Sequence, residues 1–257
     1  MMNARETVEA AVKAIFVDFD AQLAEALLAP GYIQHNTGVP TGAAPILGFI
    51  PALKASGLRV TTHRALSEGD LVVLHSTYEN AAAFGAPTLA AFDLFRVEDG
   101  RVAEHWDNLQ PLAAPNPSGR GMTDGVAHIS DRERTAANKD LVLRFAEAIL
   151  VGGQAARLGE FLSPETYIQH NPLVADGIEG LGAALAQFAA AGRAIRYDRV
   201  HKSVAEGDFV FLMSSGWMGE TPTAYFDLFR VANGRIVEHW DVVSAIPAQM
   251  AHANGKF

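Results

Sequence analysis

The sequence predicts an α+β protein built as two tandem copies of one domain, and three observations point there. Tyr32 to Asn36 reads YIQHN, and Tyr167 to Asn171 reads YIQHN again 135 positions later. Phe92 to Asp107 and Phe226 to Asp241 are identical at 12 of 16 positions with an offset of 134. That period is far too long for a solenoid unit, so each copy is a whole domain. Within each copy helical periodicity comes first and strand alternation follows, in the order helix, helix, helix, then meander.

The elements can be justified in turn. Val8, Val12, Ile15, Phe16, Phe19 and Leu23 recur at steps of three and four, the apolar stripe of an amphipathic helix, and Asn3 with Glu6 has the spacing of a capping box. The second copy repeats the stripe with Val142, Phe145, Ala146 and Ile149. Pro30 and Pro164 end these helical regions, because proline cannot continue the hydrogen-bond ladder. YIQHN follows at once, and then an Ala-rich helical stretch. The runs RVTTHRALSEGDLVVLHSTY and RYDRVHKSVAEGDFVFLMSS are rich in β-formers and broken by EGD, as a hairpin would be. Between the copies, AAPNPSGRGMTDG has the composition of a surface linker. The expected division is therefore residues 1–113, a linker at 114–130, a second domain at 131–250 and a tail at 251–257.

Composition narrows the function classes. The 257 residues are 49% hydrophobic, enough for two cores of about 130 residues each. A formal net charge of −9 repels phosphate backbones and anionic lipid, so neither nucleic acid nor a membrane is an expected partner. No apolar run reaches the roughly 18 residues of a membrane span. The opening MMNARETVEA has no apolar signal core, which makes a cytoplasmic location the default expectation. With no cysteine, disulfides, thiol nucleophiles and thiolate metal sites drop out.

The last hairpin holds the chemistry. FDLFRV and RVAEHWD flank Asp99-Gly100, and their equivalents flank Asn233-Gly234. A two-residue loop would set Asp93 opposite Trp106 and turn His105 and Asp107 to the other face. A three-residue loop would pair Val97 with Arg101 and set Asp93 opposite His105, on one face with Phe95 and Asp107. The second register is favoured, since it gathers carboxylates and imidazole on one side and Phe92, Leu94 and Trp106 on the other. The same reasoning places Asp227, His239 and Asp241.

Six of nine histidines fall in repeat-matched pairs: His35 with His170, His63 with His201, and His105 with His239. Histidine beside carboxylate suits proton transfer, so Asp93, His105, Asp107, Asp227, His239 and Asp241 are the expected catalytic residues. Tyr32, His35, Asn36, His63, Tyr167, His170, Asn171 and His201 are expected to contact a small-molecule substrate. Glu104, Glu238, Trp106 and Trp240 are read as interface or convex-face residues. A metal held by His35, His63, His105 and Asp107 is the chemical rival, but no local HxH or HxxxH pair supports it, so no metal or other cofactor is expected.

YIQHN after a helix pair, then FDLFRV, an Asp-Gly or Asn-Gly turn and GRVAEHWD, resembles the SnoaL-like polyketide cyclase family of the nuclear-transport-factor-like superfamily. The resemblance implies cone-shaped α+β barrels, each a curved antiparallel sheet wrapped around helices with a blind pocket inside. It also implies a pseudo-dimer fused into one polypeptide, with further oligomerisation open. The implied chemistry is a cofactor-free intramolecular aldol condensation, with the family's acid/base aspartate at Asp107 and Asp241 and its pocket asparagine at Asn36 and Asn171. Asp93 and Asp227 stand where the cyclases carry a histidine, a departure that suits isomerisation or water addition as well. A non-catalytic binding module on the same scaffold is the alternative.

Overall fold

A computed structural model describes residues 2–257 and divides them into two units, 2–112 with 247–257, and 113–246. In the first unit, α1 (Ala4–Phe16) starts at Asn3, whose side chain and that of Glu6 form the expected capping box. Its inward stripe includes Val8, Ala11 and Ile15. Helix α2 (Ala21–Leu27) leads directly into β1 (Leu28–Gln34), so Pro30 lies inside a strand rather than at a helix end. That strand is an edge, where a missing N–H is tolerated. Helix α3 (Ala43–Ser56) is followed by the meander β2 (Arg59–Glu68), β3 (Leu71–Glu79), β4 (Thr88–Glu98) and β5 (Arg101–Pro111). The sheet order is β1-β5-β4-β3-β2. The meander is antiparallel, while β1, the YIQHN strand, joins β5 in parallel and makes the sheet mixed.

The second unit repeats this order with α4 (Thr135–Phe145), a π-helical turn over Ala146–Val151, a 3-10 segment at Ala155–Glu160 and the short strand β6 (Ile168–Gln169). After α5 (Gly177–Ala190) come β7 (Ile195–Glu206), β8 (Phe209–Met218), β9 (Thr221–Ala232) and β10 (Arg235–Ala245), in sheet order β6-β10-β9-β8-β7. Each unit has its own apolar core between helices and sheet, around Val8, Leu53 and Leu74 in the first and Val142, Phe145 and Leu212 in the second.

The hairpin that carries the carboxylates took neither expected register. Glu98 pairs with Arg101, so the loop is the two residues Asp99-Gly100, with φ of 50° and 71° as a primed turn requires. A bulge then inserts Ala103, and beyond it Asp93 lies opposite Asp107, Leu94 opposite Trp106 and Phe95 opposite His105. The equivalent bulge at Val237 sets Asp227 opposite Asp241. Because one extra residue flips every later side chain, the bulge produces the segregation of faces for which the three-residue loop had been invoked.

The segment read as a linker is hydrogen-bonded into the second unit. Asn116 Nδ2 donates to the carbonyls of Gln169 and Val174, and the Trp240 indole N–H donates to the carbonyl of Asp124. The tail does the equivalent in the first unit: Asn254 Nδ2 donates to the Gln34 carbonyl and Lys256 Nζ to the Asp107 carbonyl. None of the described helices is long and apolar enough to cross a membrane.

Candidate functional site

In each unit β4 and β5, or β9 and β10, turn their carboxylates and imidazole into a cavity between sheet and helices. The second cavity is lined by Asp227, His239, Asp241, Tyr167, Gln169, Asn171 and Tyr197, against an apolar wall that includes Phe145, Ile149, Leu158, Leu181 and Phe188. Its volume is about 320 Å³. The first cavity holds the corresponding Asp93, His105, Asp107, Tyr32, Gln34 and Asn36, with Tyr78, but measures only about 40 Å³. The former is of ligand size, whereas the latter has room for a few waters.

Two differences between the copies accompany the smaller volume. Between β8 and β9 the chain turns tightly, with Met218 paired to Thr221. Between β3 and β4, residues 80–87 form a longer loop that brings Phe84 over the first cavity, edge-on to Tyr78 at 6.0 Å between ring centroids. Phe16 meets Tyr78 from the other side at 5.8 Å, and the position of Phe16 is taken by the smaller Leu150 in the second copy.

The polar groups form the same network twice. His239 Nε2 faces Asp227 Oδ1 at 3.1 Å and its Nδ1 faces Gln169 Oε1 at 3.1 Å. His105 does likewise with Asp93 Oδ1 at 3.1 Å and Gln34 Oε1 at 3.0 Å. Gln34 Oε1 also accepts the backbone N–H groups of His35 and Asn36, which fixes it as the oxygen and makes the facing His105 Nδ1 a donor. The Nε2 atoms of His105 and His239 are left to meet the carboxylates of Asp93 and Asp227. Asn171 Nδ2 donates to both oxygens of Asp241, at 3.0 and 2.8 Å, and Asn36 Nδ2 donates to Asp107 Oδ2. Phenols complete the set: Tyr78 Oη donates to Asp93 at 2.9 Å and Tyr197 Oη to Asp227 at 3.1 Å.

Electrostatics follow from this burial. Loss of water pushes the Asp241 carboxyl above its ordinary range, and the Asp227 charge adds to it against the opposing His239 and Asn171. Burial pulls His239 down, but the Asp227 bond and the charges of Asp241 and Asp227 outweigh it, so the imidazole holds its proton above the usual pH. Burial likewise raises Asp93, despite its bonds from His105 and Tyr78.

Not every expected residue is at the cavity. The alternation of YIQHN turns Tyr32, Gln34 and Asn36 inward and His35 outward. His35 stacks on Trp106 at 4.9 Å, with Nε2 on Glu104 at 2.9 Å and Nδ1 on the Gly255 carbonyl at 2.8 Å. His170 repeats this with Trp240, Glu238 and the Gly121 carbonyl. His35 and His170 are therefore structural ties on the sheet face opposite the cavity, where Glu104, Trp106, Glu238 and Trp240 also lie. His63 bonds Thr77 and His201 bonds Ser215 across neighbouring strands, and neither lines its cavity. The expected rival metal set of His35, His63, His105 and Asp107 is accordingly not assembled. Asp93, His105 and Asp107, and Asp227, His239 and Asp241, do each bring ligand atoms within 4.8 Å of one another, although both ring nitrogens of each His already face protein acceptors. Gln34, Gln169, Tyr78 and Tyr197 are site residues that sequence reasoning missed. The glutamines were legible from the in-out alternation of YIQHN, whereas the tyrosines carried no repeat signal.

A model of the SnoaL-like domain matches residues 8–105 and again 142–239. The chain belongs to the SnoaL-like domain family. Among solved structures it is similar to TsrD from Streptomyces laurentii (23% identity, 43% of this chain and 92% of that one, TM-score 0.36). It is similar also to IdmH, a candidate polyketide cyclase from Streptomyces antibioticus (22%, 42% and 93%, 0.35), and to an M. tuberculosis LEH-like epoxide hydrolase (20%, 42% and 82%, 0.34). No protein of curated function matches in sequence. The two SnoaL-like copies thus share a fold and a polar network but differ eightfold in cavity volume.

Proposed function

We propose that the second SnoaL-like domain is an enzyme site for a small apolar carbonyl compound, working by general acid/base catalysis of the aldol or isomerase type and calling on no cofactor. One observation carries the reading: Asp227, His239 and Asp241 share one wall of an otherwise largely apolar cavity of about 320 Å³. An apolar hollow selects a neutral, hydrophobic body, and the polar wall selects the end of it that exchanges protons.

Asp241 is the proton carrier. As carboxylate it is a stronger base than an exposed aspartate, because burial disfavours its charge, and Asn171 fixes its direction. It removes a proton from the carbon next to the carbonyl, leaving an enolate beside the protonated His239. In an isomerisation Asp241 returns that proton to a different carbon. In an aldol closure the enolate carbon bonds to a second carbonyl carbon of the same molecule, and the new alkoxide takes the proton from Asp241. Asp227 holds the imidazole in place in either case.

In the first domain the same groups face about 40 Å³, a volume that favours a non-catalytic role for that copy. Exchange of the α-hydrogens of 1-tetralone in D2O, followed by NMR, tests the proposal without knowledge of the natural substrate. Wild-type protein accelerates the exchange, and Asp241→Asn lowers the rate constant by roughly 100-fold, the usual scale of a lost general base. Unchanged exchange in that variant would remove the assignment.

A further inference from the structure

The phenol in each cavity comes from a different strand. Met213 pairs with Phe226 as His75 pairs with Phe92, which makes Gly216 the counterpart of Tyr78. The second copy therefore lacks a tyrosine where the first has one. Its phenol is supplied instead by Tyr197, the residue paired with Gly216 on the adjacent strand β7, where the first copy has Val60 paired with Tyr78. The switch has a local cause. Strand β7 bulges after Tyr197, and a Cβ at Gly216 would fall 2.0 Å from the Arg196 carbonyl oxygen, so position 216 has no room for a side chain.

Both phenols nevertheless end on the equivalent carboxylate. Tyr78 Oη donates to Asp93 Oδ2 at 2.9 Å, and Tyr197 Oη lies 3.1 and 3.3 Å from the two oxygens of Asp227. A ring needed only to fill space has no reason to reach the equivalent carboxylate from a different strand. The shared feature of the two copies is the hydroxyl-to-aspartate bond, not the backbone position that provides it.

We propose that Tyr197 is a positioning residue of the second site: its hydroxyl donates to the same Asp227 carboxylate that His239 Nε2 faces, and so holds the proton of the Asp227–His239 pair on the imidazole. The proposal rests on the functional reading above. The titratable groups acting on His239 are Asp227 from β9 and Asp241 from the same strand, with Gln169 as the neutral partner of Nδ1; Tyr197 from β7 and Tyr167 beside β6 line the same cavity and act on those two carboxylates. Burial and the neighbouring Asp227 keep Tyr197 itself a neutral donor. Without its hydroxyl the Asp227 carboxylate has one donor fewer, and the proton shared with His239 Nε2 moves toward oxygen. His239 then meets the developing enolate as a neutral ring.

The test compares Tyr197→Phe with Tyr225→Phe. Tyr225 stacks on Tyr197 at 4.3 Å, bonds the Trp217 carbonyl and does not line the cavity, so it controls for ring packing. Tyr197→Phe is expected to lower kcat for 1-tetralone exchange by roughly 10- to 100-fold with KM within about threefold, while Tyr225→Phe stays within twofold of wild type. In 15N spectra of the histidine rings at neutral pH, both His239 nitrogens carry protons in wild type and in Tyr225→Phe, and Nε2 loses its proton signature in Tyr197→Phe. An unaltered His239 spectrum in Tyr197→Phe, or an equal loss of exchange in both variants, overturns the proposal. The ring spectrum needs no substrate, so an absence of wild-type exchange would count against the functional reading and leave the positioning role to be judged on the nitrogen shifts.

Discussion

Phe84→Ala tests whether one side chain separates a closed site from an open one. The ring is half-buried and lines the first cavity of about 40 Å³. Removing it beyond Cβ opens on the order of 100 Å³, which brings the hollow to roughly the 150 Å³ that admits one benzene. A fully buried Phe→Ala change costs about 3–5 kcal/mol. Here the ring is only partly covered, sits in the 3-10 turn Ala82–Phe84 and makes one edge-on contact with Tyr78, so about 1.5–2.5 kcal/mol is expected. Urea unfolding gives the cost, and methyl NMR of Val39, Ile46 and Leu109, which line that cavity, reports benzene entering it. The reasoning fails if those methyls do not respond to benzene in the variant, or if they already respond in wild type.

Two further outcomes concern stability. The Asp241 carboxyl is raised in the folded state, so between the ordinary carboxylate range and its raised value the fold binds more protons than the unfolded chain. That contribution is complete at acid pH and declines as pH rises through the raised value. Asp241→Asn removes the decline, and thermal melts should show the variant gaining on wild type from pH 4 to pH 7. The second outcome lies on the opposite face of the sheet. Burial works to raise Glu238, but bonds from His170 and Arg230 hold it below its usual value, and its side chain is 1% exposed against 17% for Glu104. Glu238→Gln is expected to cost about 3 kcal/mol or more in urea unfolding, and Glu104→Gln under about 2. Equal costs would contradict the burial argument.

Much of this architecture was legible because the chain states it twice. The two matched 16-residue segments located the hairpin that carries the carboxylates, and the cost of burying Asp among Phe and Trp chose the right set of faces even though neither loop gave the right pairing. The bulged residues Ala103 and Val237 have no sequence signature, since a small or β-branched residue fits a regular strand equally well. Reading histidine as the functional residue type misled at His35 and His170. Strict alternation from Tyr32 would have put them outside and Gln34 and Gln169 inside. Tyr78 and Tyr197 were hidden by the comparison that revealed everything else, because matching positions cannot show one phenol delivered from two strands. Nor could composition show that 113–130 and 247–257 are built into the units, since their bonds to the sheets, such as those of Asn116 and Asn254, run mostly to backbone carbonyls.

The claim that proton chemistry belongs to the second cavity is tested most directly by setting Asp241→Asn beside Asp107→Asn in the 1-tetralone exchange assay, with both proteins checked as folded. The account predicts a roughly 100-fold loss in the first variant and a rate within about threefold of wild type in the second. A full rate in Asp241→Asn, or a loss confined to Asp107→Asn, would contradict it.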